Sequence, residues 1–291
     1  MKPAPFRYVR PHTLADAVKL LSDGDPDVKI LAGGQSLVPM LNLRLLRPAV
    51  LVDLNGVPGL DSIAPDAAGG LTIGALVRHA DLMAAPLVIE RAPLLAEAAR
   101  HVGHAAIRHR GTLGGSLAHA DPAAELPAAL VALDARFVLE GGKGRRHVSA
   151  ADFFQGLLTT ALAPDEILVE AHVPPQGPGW GFAEIVRRSG DFAVAGVIAH
   201  VRRRPGSGVR CDVARLVGFG VGDRPLRFRA AEDLLLSDDD GLSIARVAGA
   251  VTCDPPDDVH ASADYRRHLA RILTGDVLGH ALERTEGARR S

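Results

Sequence analysis

The chain has 291 residues, 47% of them hydrophobic and 23% charged, which suits two ordinary domains or one large one and excludes disordered and fibrous classes. A formal net charge of −1 removes any general attraction to nucleic acid or anionic lipid, and two cysteines, Cys211 and Cys253, cannot build a disulfide framework, a four-cysteine zinc site or an iron–sulfur cluster within the chain. The opening Met1-Lys2-Pro3-Ala4-Pro5-Phe6-Arg7-Tyr8 lacks the apolar region of a signal peptide, and no run of about 18 apolar residues escapes interruption by charge, so the expected location is the cytoplasm.

Thr13, with Asp16 three residues on, opens an expected helix whose apolar face is Leu14, Ala17, Val18 and Leu21, and Asp23-Gly24-Asp25-Pro26 is expected to end it. Val28 to Leu31 reads as a strand running into Ala32-Gly33-Gly34-Gln35-Ser36-Leu37, and Val50 to Leu54 as another ahead of the turn Asn55-Gly56. A second lobe begins near Leu60, with a strand at Leu71 to Gly74 and helices at His79 to Ala84 and Pro93 to His101. Then come a second glycine-rich segment, Gly111 to Pro122, a helix in Ala123 to Leu133, and a hairpin around Gly141 to Gly144. Ile167 to Val173 forms a last strand before the breakers Gln176-Gly177-Pro178-Gly179, where the domain boundary is placed. Beyond it, strands are expected in Ala183 to Val186, Ala195 to Val201 and Ala214 to Phe219. Helical patterns follow at Ala230 to Leu236, Ile244 to Ala250 and Tyr265 to Leu282.

The two glycine segments carry the functional signal. A residue without Cβ can take φ > 0 and let a ligand approach the main chain, and a strand ending in such a loop presents amide N–H groups that attract oxyanions. Ser36, Thr112 and Ser116 add hydroxyls. Neither segment is a P-loop or the Gly-x-Gly-x-x-Gly of a Rossmann fold, which disfavours kinase and simple NAD-dehydrogenase readings. Taken singly, either segment also fits a tight turn of an α/β protein.

Paired in this order and spacing, Ala32 to Pro39 with Asn42-Leu43-Arg44, and Ile107-Arg108-His109-Arg110-Gly111-Thr112-Leu113-Gly114-Gly115-Ser116-Leu117-Ala118-His119-Ala120-Asp121-Pro122, resemble the FAD-binding medium subunit of molybdenum hydroxylases. Carbon monoxide dehydrogenase and xanthine dehydrogenase belong to that family. The resemblance covers essentially the whole chain. It implies an α+β protein: a two-lobed FAD-binding domain of the PCMH/vanillyl-alcohol-oxidase type at 1–176, with lobes of about 1–58 and 59–176, then a small sheet-plus-helices domain at 177–291 of the carbon monoxide dehydrogenase flavoprotein C-terminal type.

By the same resemblance, Leu31, Ala32, Gly33, Gly34, Gln35, Ser36, Leu37 and Val38 wrap the FAD pyrophosphate, and Thr112, Leu113, Gly114, Gly115 and Ser116 add contacts. Glu125 binds FAD hydroxyls, Val102 lies near the adenine and Leu168 near the flavin. Phe192 stands where some relatives place a tyrosine beside the ring, so a phenolic hydrogen bond is missing here. The resemblance further implies a flavoprotein oxidoreductase subunit with no catalytic acid or base of its own and no metal. It would take electrons from 2Fe–2S clusters in a small subunit, with the molybdenum cofactor in a large subunit, in a dimer of heterotrimers. Two alternatives are a self-sufficient FAD-dependent oxidoreductase on the same fold and a scaffold subunit whose flavin site has decayed. His101, His104, His109 and His119 crowd the second segment but match no zinc spacing, and Trp180 reads as a packing anchor.

Overall fold

A computed structural model describes residues 2–22 and 27–287, and the expected helix end at Asp23 to Pro26 lies outside the described residues. The first helix is Leu14–Ser22, and Thr13 caps it: its Oγ1 accepts the Asp16 amide at 3.1 Å and donates to Asp16 Oδ2 at 2.7 Å. Ala17 and Val18 are its buried positions. They pack on a three-stranded parallel sheet in the order Arg7–Val9, Val50–Asp53, Val28–Leu31, whose central strand is buried along its whole length. A parallel edge strand at Arg7–Val9 carries no alternation in its three residues, and the sequence pattern did not announce it.

The next sheet is antiparallel and five-stranded, ordered Ile63–Pro65, Leu71–Gly74, Ile167–Val173, Arg136–Gly141, Gly144–Ser149. The helices Pro93–His101, Leu113–His119 and Glu125–Ala132 bury their apolar residues with it in one core. All eight residues of Glu125–Ala132 are buried, because this helix lies between its neighbours and the strands of the C-terminal sheet. That placement takes Glu125 out of water with it.

The C-terminal sheet runs Trp180–Val186, Ala193–Arg203, Cys211–Phe219, Leu226–Arg227, all antiparallel. Its long strand Ala193–Arg203 packs against the 25-residue helix Ala263–Gly287. The cores cross the boundaries expected from sequence: Val138, Ile167 and Val169 join the first-lobe core, and Ala193, Ile198, Val217 and Phe219 join that of the second lobe. Trp180 lies under the Arg284 guanidinium, 3.6 Å from its ring, as a packing element.

Four helices escaped the sequence pattern: Pro86–Arg91, Ala105–Arg108, Ala150–Phe153 and Leu113–His119. The last corrects the reading of the second glycine segment as a loop. Thr112 is an N-cap, its side chain accepting the Gly115 amide at 3.1 Å, and the glycines form the first helical turn.

Candidate functional site

A cleft of about 780 Å³ opens between the parallel sheet and the second lobe, a volume in the range of small-molecule sites. The strand Val28–Leu31 ends at its wall. Gly34 takes φ +75°, the left-handed region, and turns the chain into the short helix Leu37–Asn42. Ser36 precedes that helix without capping it, so its hydroxyl stays available. Among the described residues, the amides of Gly33, Gly34, Gln35 and Ser36 find no backbone acceptor. Four successive free N–H donors on a cleft wall form an anion cradle.

The second segment is built differently. The Leu113 amide donates to Val77 O at 2.9 Å, Gly114 to Ala75 O at 2.8 Å and Ser116 to Thr112 O at 3.0 Å, while Gly115 is held by Thr112 Oγ1. A Cβ on Gly114 would lie 2.5 Å from the Ala75 Cβ, so this glycine lets the helix seat against the end of strand Leu71–Gly74.

Of the seventeen residues expected at the cofactor, fourteen line this one cleft: Ala32, Gly33, Gly34, Gln35, Ser36, Leu37, Val102, Thr112, Gly114, Gly115, Ser116, Glu125, Leu168 and Phe192. Leu31, Val38 and Leu113 do not. Leu31 and Val38 flank Gly34 from behind, each 3.2 Å from where its Cβ would be, and Leu113 is fully buried in the core with its amide already bonded. Leu168 reaches the wall beside a register shift in Ile167–Val173. Phe192 stands at the mouth with 63% of its surface exposed, where a second cavity of about 550 Å³ shares it together with Asp121, Gly190 and Asp191.

Glu125, only 5% exposed, begins its helix at the cleft wall. Burial pushes its carboxyl up to about 7, helped by the negative charges of Glu184 and Asp121 and opposed by its own backbone amide and by His101. A carboxyl poised in this way can accept a hydrogen bond from a ligand hydroxyl or donate one.

Sequence reasoning missed His79, which lines the cleft and is buried. Its Nε2 lies 2.9 Å from Thr112 O, which requires a proton there, and its Nδ1 is buried without a partner. Burial lowers its pKa to about 4, with Arg108 and Arg78 acting in the same sense, so it is neutral above that. The only available signal was its position at the start of a helix after a strand. Of the histidines near the second segment, His119 also lines the cleft, whereas His101 pairs with Glu184 at 2.9 Å and Glu97 at 3.5 Å, which raises its pKa. No group of His, Cys, Asp or Glu fit to hold a metal occurs among the described residues. Asp121 shapes a turn, accepting the Ala123 amide at 2.9 Å, and Arg108 holds the carbonyls of Val102 and Gly103.

Known proteins share both the sequence and this architecture. The pattern of the FAD binding domain in molybdopterin dehydrogenase matches residues 4–176, and that of the CO dehydrogenase flavoprotein C-terminal domain matches 180–281. The chain is 41% identical to the 6-hydroxypseudooxynicotine dehydrogenase complex subunit alpha of Paenarthrobacter nicotinovorans, over 100% of this chain and 99% of that one. It is 37% identical to the carbon monoxide dehydrogenase medium chain of Hydrogenophaga pseudoflava, over 98% and 99%. Among solved structures, carbon monoxide dehydrogenase from Hydrogenophaga pseudoflava superposes with a TM-score of 0.91 at 38% identity, covering 98% of this chain and 99% of that chain. Quinoline 2-oxidoreductase from Pseudomonas putida 86 gives the same TM-score, identity and coverage. With a cradle of free amides, a cleft of cofactor size and both family patterns in register, the chain belongs to the FAD-binding medium subunits of the molybdenum hydroxylases and is an oxidoreductase component that carries FAD.

Proposed function

We propose that this chain is the electron-transfer subunit of a multisubunit molybdenum hydroxylase, receiving electrons from 2Fe–2S clusters in a small subunit and passing them to an external acceptor. The molybdenum cofactor would reside in a large subunit, and the assembly would be a dimer of heterotrimers. FAD, when bound, supplies one- and two-electron redox chemistry, and the protein supplies its orientation and surroundings. The observation that carries this reading is the run of unpaired amides at Gly33 to Ser36 on the same cleft as the buried Glu125.

In this assignment Ala32 to Leu37 hold the pyrophosphate, with Thr112 and Gly114 to Ser116 closing the opposite side and Leu31, Val38 and Leu113 supporting the two segments from behind. Glu125 meets FAD hydroxyls, Val102 the adenine side, and Leu168 and Phe192 the flavin. The domain division at 176/177 and the lobe division near 58 belong to the same reading. Two free thiols, Cys211 buried and pushed up to about 12 by desolvation and Cys253 half-buried, suit a reducing compartment, and we place the chain in the cytoplasm. Among the described residues no helix is long and apolar enough to cross a membrane.

Purification of the native assembly tests the reading, with subunit identification and assay of FAD, iron, acid-labile sulfide and molybdenum. FAD on this chain, with clusters and molybdenum on two others, is expected. A chain purified without either partner, which oxidises an organic substrate by itself, would establish the self-sufficient oxidoreductase instead. A native chain without flavin would leave a scaffold.

A further inference from the structure

The two glycine segments come from different lobes, yet their backbones touch. A Cβ on Gly33 would lie 2.4 Å from Arg110 O and 2.8 Å from Gly111 Cα. One chain of side-chain hydrogen bonds spans this contact. Asn55 Nδ2 donates to Ala32 O at 2.9 Å, Arg78 Nη2 donates to Asn55 Oδ1 at 2.6 Å, and Arg78 Nη1 donates to Arg110 O at 2.5 Å. The Arg78 fork thus bonds the second segment with one nitrogen and, through Asn55, the first segment with the other.

Asn55 is itself fixed. Its amide N–H and its Nδ2 both donate to Asp53 Oδ1, at 2.9 and 2.5 Å, Arg10 holds its carbonyl at 3.1 Å, and Tyr8 Oη donates to Asp53 Oδ2. Asp53 is 7% exposed, and its hydrogen bonds from Tyr8 and Asn55 outweigh burial to hold its carboxyl below the usual range. A trans peptide points its N–H opposite to its C=O. Seizing Ala32 O therefore aims the free Gly33 N–H away from the clamp, and the bond polarises that peptide into a stronger donor. Residues 31–38 and 112–116 contain no lysine or arginine, so the aim of the backbone dipoles governs their hold on an anion.

We infer that Arg78 and Asn55 are positioning residues for the cofactor's diphosphate, setting the separation of the two segments and the direction of the Gly33 amide; the inference rests on the FAD assignment above. Neither side chain needs to touch the ligand to act. Arg78 is suited to this by its planar fork, which lysine cannot reproduce.

The test uses the full chain stripped of flavin, titrated with FAD, with FAD-free thermal unfolding measured alongside. Asn55→Ala and Arg78→Gln should each raise the FAD Kd by at least about tenfold, the scale of losing a charge-assisted hydrogen bond. The double variant should fall within about twofold of the worse single, because both act through one chain of bonds. Arg78→Lys should stay close to Arg78→Gln, and in Asn55→Ala saturated with FAD the diphosphate phosphorus resonances should shift while the flavin absorption bands do not. Should Arg78→Gln fail to fold, Asn55→Ala and Arg78→Lys carry the same comparison. Single variants within about twofold of the wild type, a double variant losing the product of the two, or full rescue by lysine would overturn the inference. So would losses of affinity explained by lower FAD-free stability with unshifted phosphorus resonances. A wild-type chain that binds no FAD at all would instead overturn the flavin assignment, a distinct result.

Discussion

The two glycine segments have similar compositions and opposite hydrogen-bonding states. In the first, on the cleft wall, the amides of Gly33 to Ser36 have no backbone acceptor among the described residues, and Gly34 is the turning point at φ +75°. In the second, the amides of Leu113 to Ser116 are all satisfied inside the protein, and Gly114 is where helix and strand end meet. A glycine-rich motif thus serves either as a row of donors without internal acceptors or as a joint whose amides are all bonded within the protein. The fate of the amides, rather than the number of glycines, separates the two.

That contrast can be broken most forcefully at Gly114. Gly114→Ala sets a Cβ 2.5 Å from the Ala75 Cβ and 2.8 Å from its carbonyl, and should cost the FAD-free chain about 3 kcal/mol in denaturant unfolding. Unchanged stability with lost FAD would return this segment to the role of a grip. Glu125, the carboxyl that complements the free donors, gives the next effect. Its folded pKa is raised from the ordinary 4.5 to about 7, so its contribution to stability is present below 4.5 and lost as pH rises through 7. Glu125→Gln should therefore stabilise the FAD-free chain by roughly 2–3 kcal/mol at pH 8 and by nearly nothing near pH 4. A pH-independent difference would remove the carboxyl's titration from the account.

The hydroxyls sharpen the comparison at smaller cost. Thr112→Ala removes an N-cap and should destabilise the FAD-free chain by about 1 kcal/mol. Ser36→Ala, where no cap bond exists, should leave FAD-free stability within about 0.5 kcal/mol while weakening FAD several-fold, as read by calorimetric titration. Equal effects of the two on stability would erase the distinction. Smallest of all, Phe192→Ala at the exposed mouth should change unfolding by no more than about 0.5 kcal/mol.

Much of the fold was legible because the elements are strongly patterned. The strands Val28–Leu31 and Leu71–Gly74 and the helices His79–Ala84 and Pro93–His101 have the extents their sequences announce. Elements too short to show a period stayed hidden, such as Arg7–Val9 and Ala105–Arg108. Fourteen of the seventeen expected site residues meet in one cleft because a paired motif fixes order and spacing. The helix Leu113–His119 was obscured by its glycines, which score against helix although Thr112 caps it. His79, Arg78 and Asn55 were illegible for another reason: their roles depend on contacts 23 to 33 residues away in sequence, which local patterns do not encode.

The wall of the cleft draws on residues from Leu21 through Leu54, Ala75 through His79, Val102 through Glu125, Leu158 through Leu168, and Gly190 through Phe192. During synthesis, then, a ribosome must release every segment from Leu21 onward before the last of these, Phe192, can join the others. The nascent chain emerges with its first row of donors made early and its opposite wall still missing, so a fully formed pocket is an achievement of the late chain.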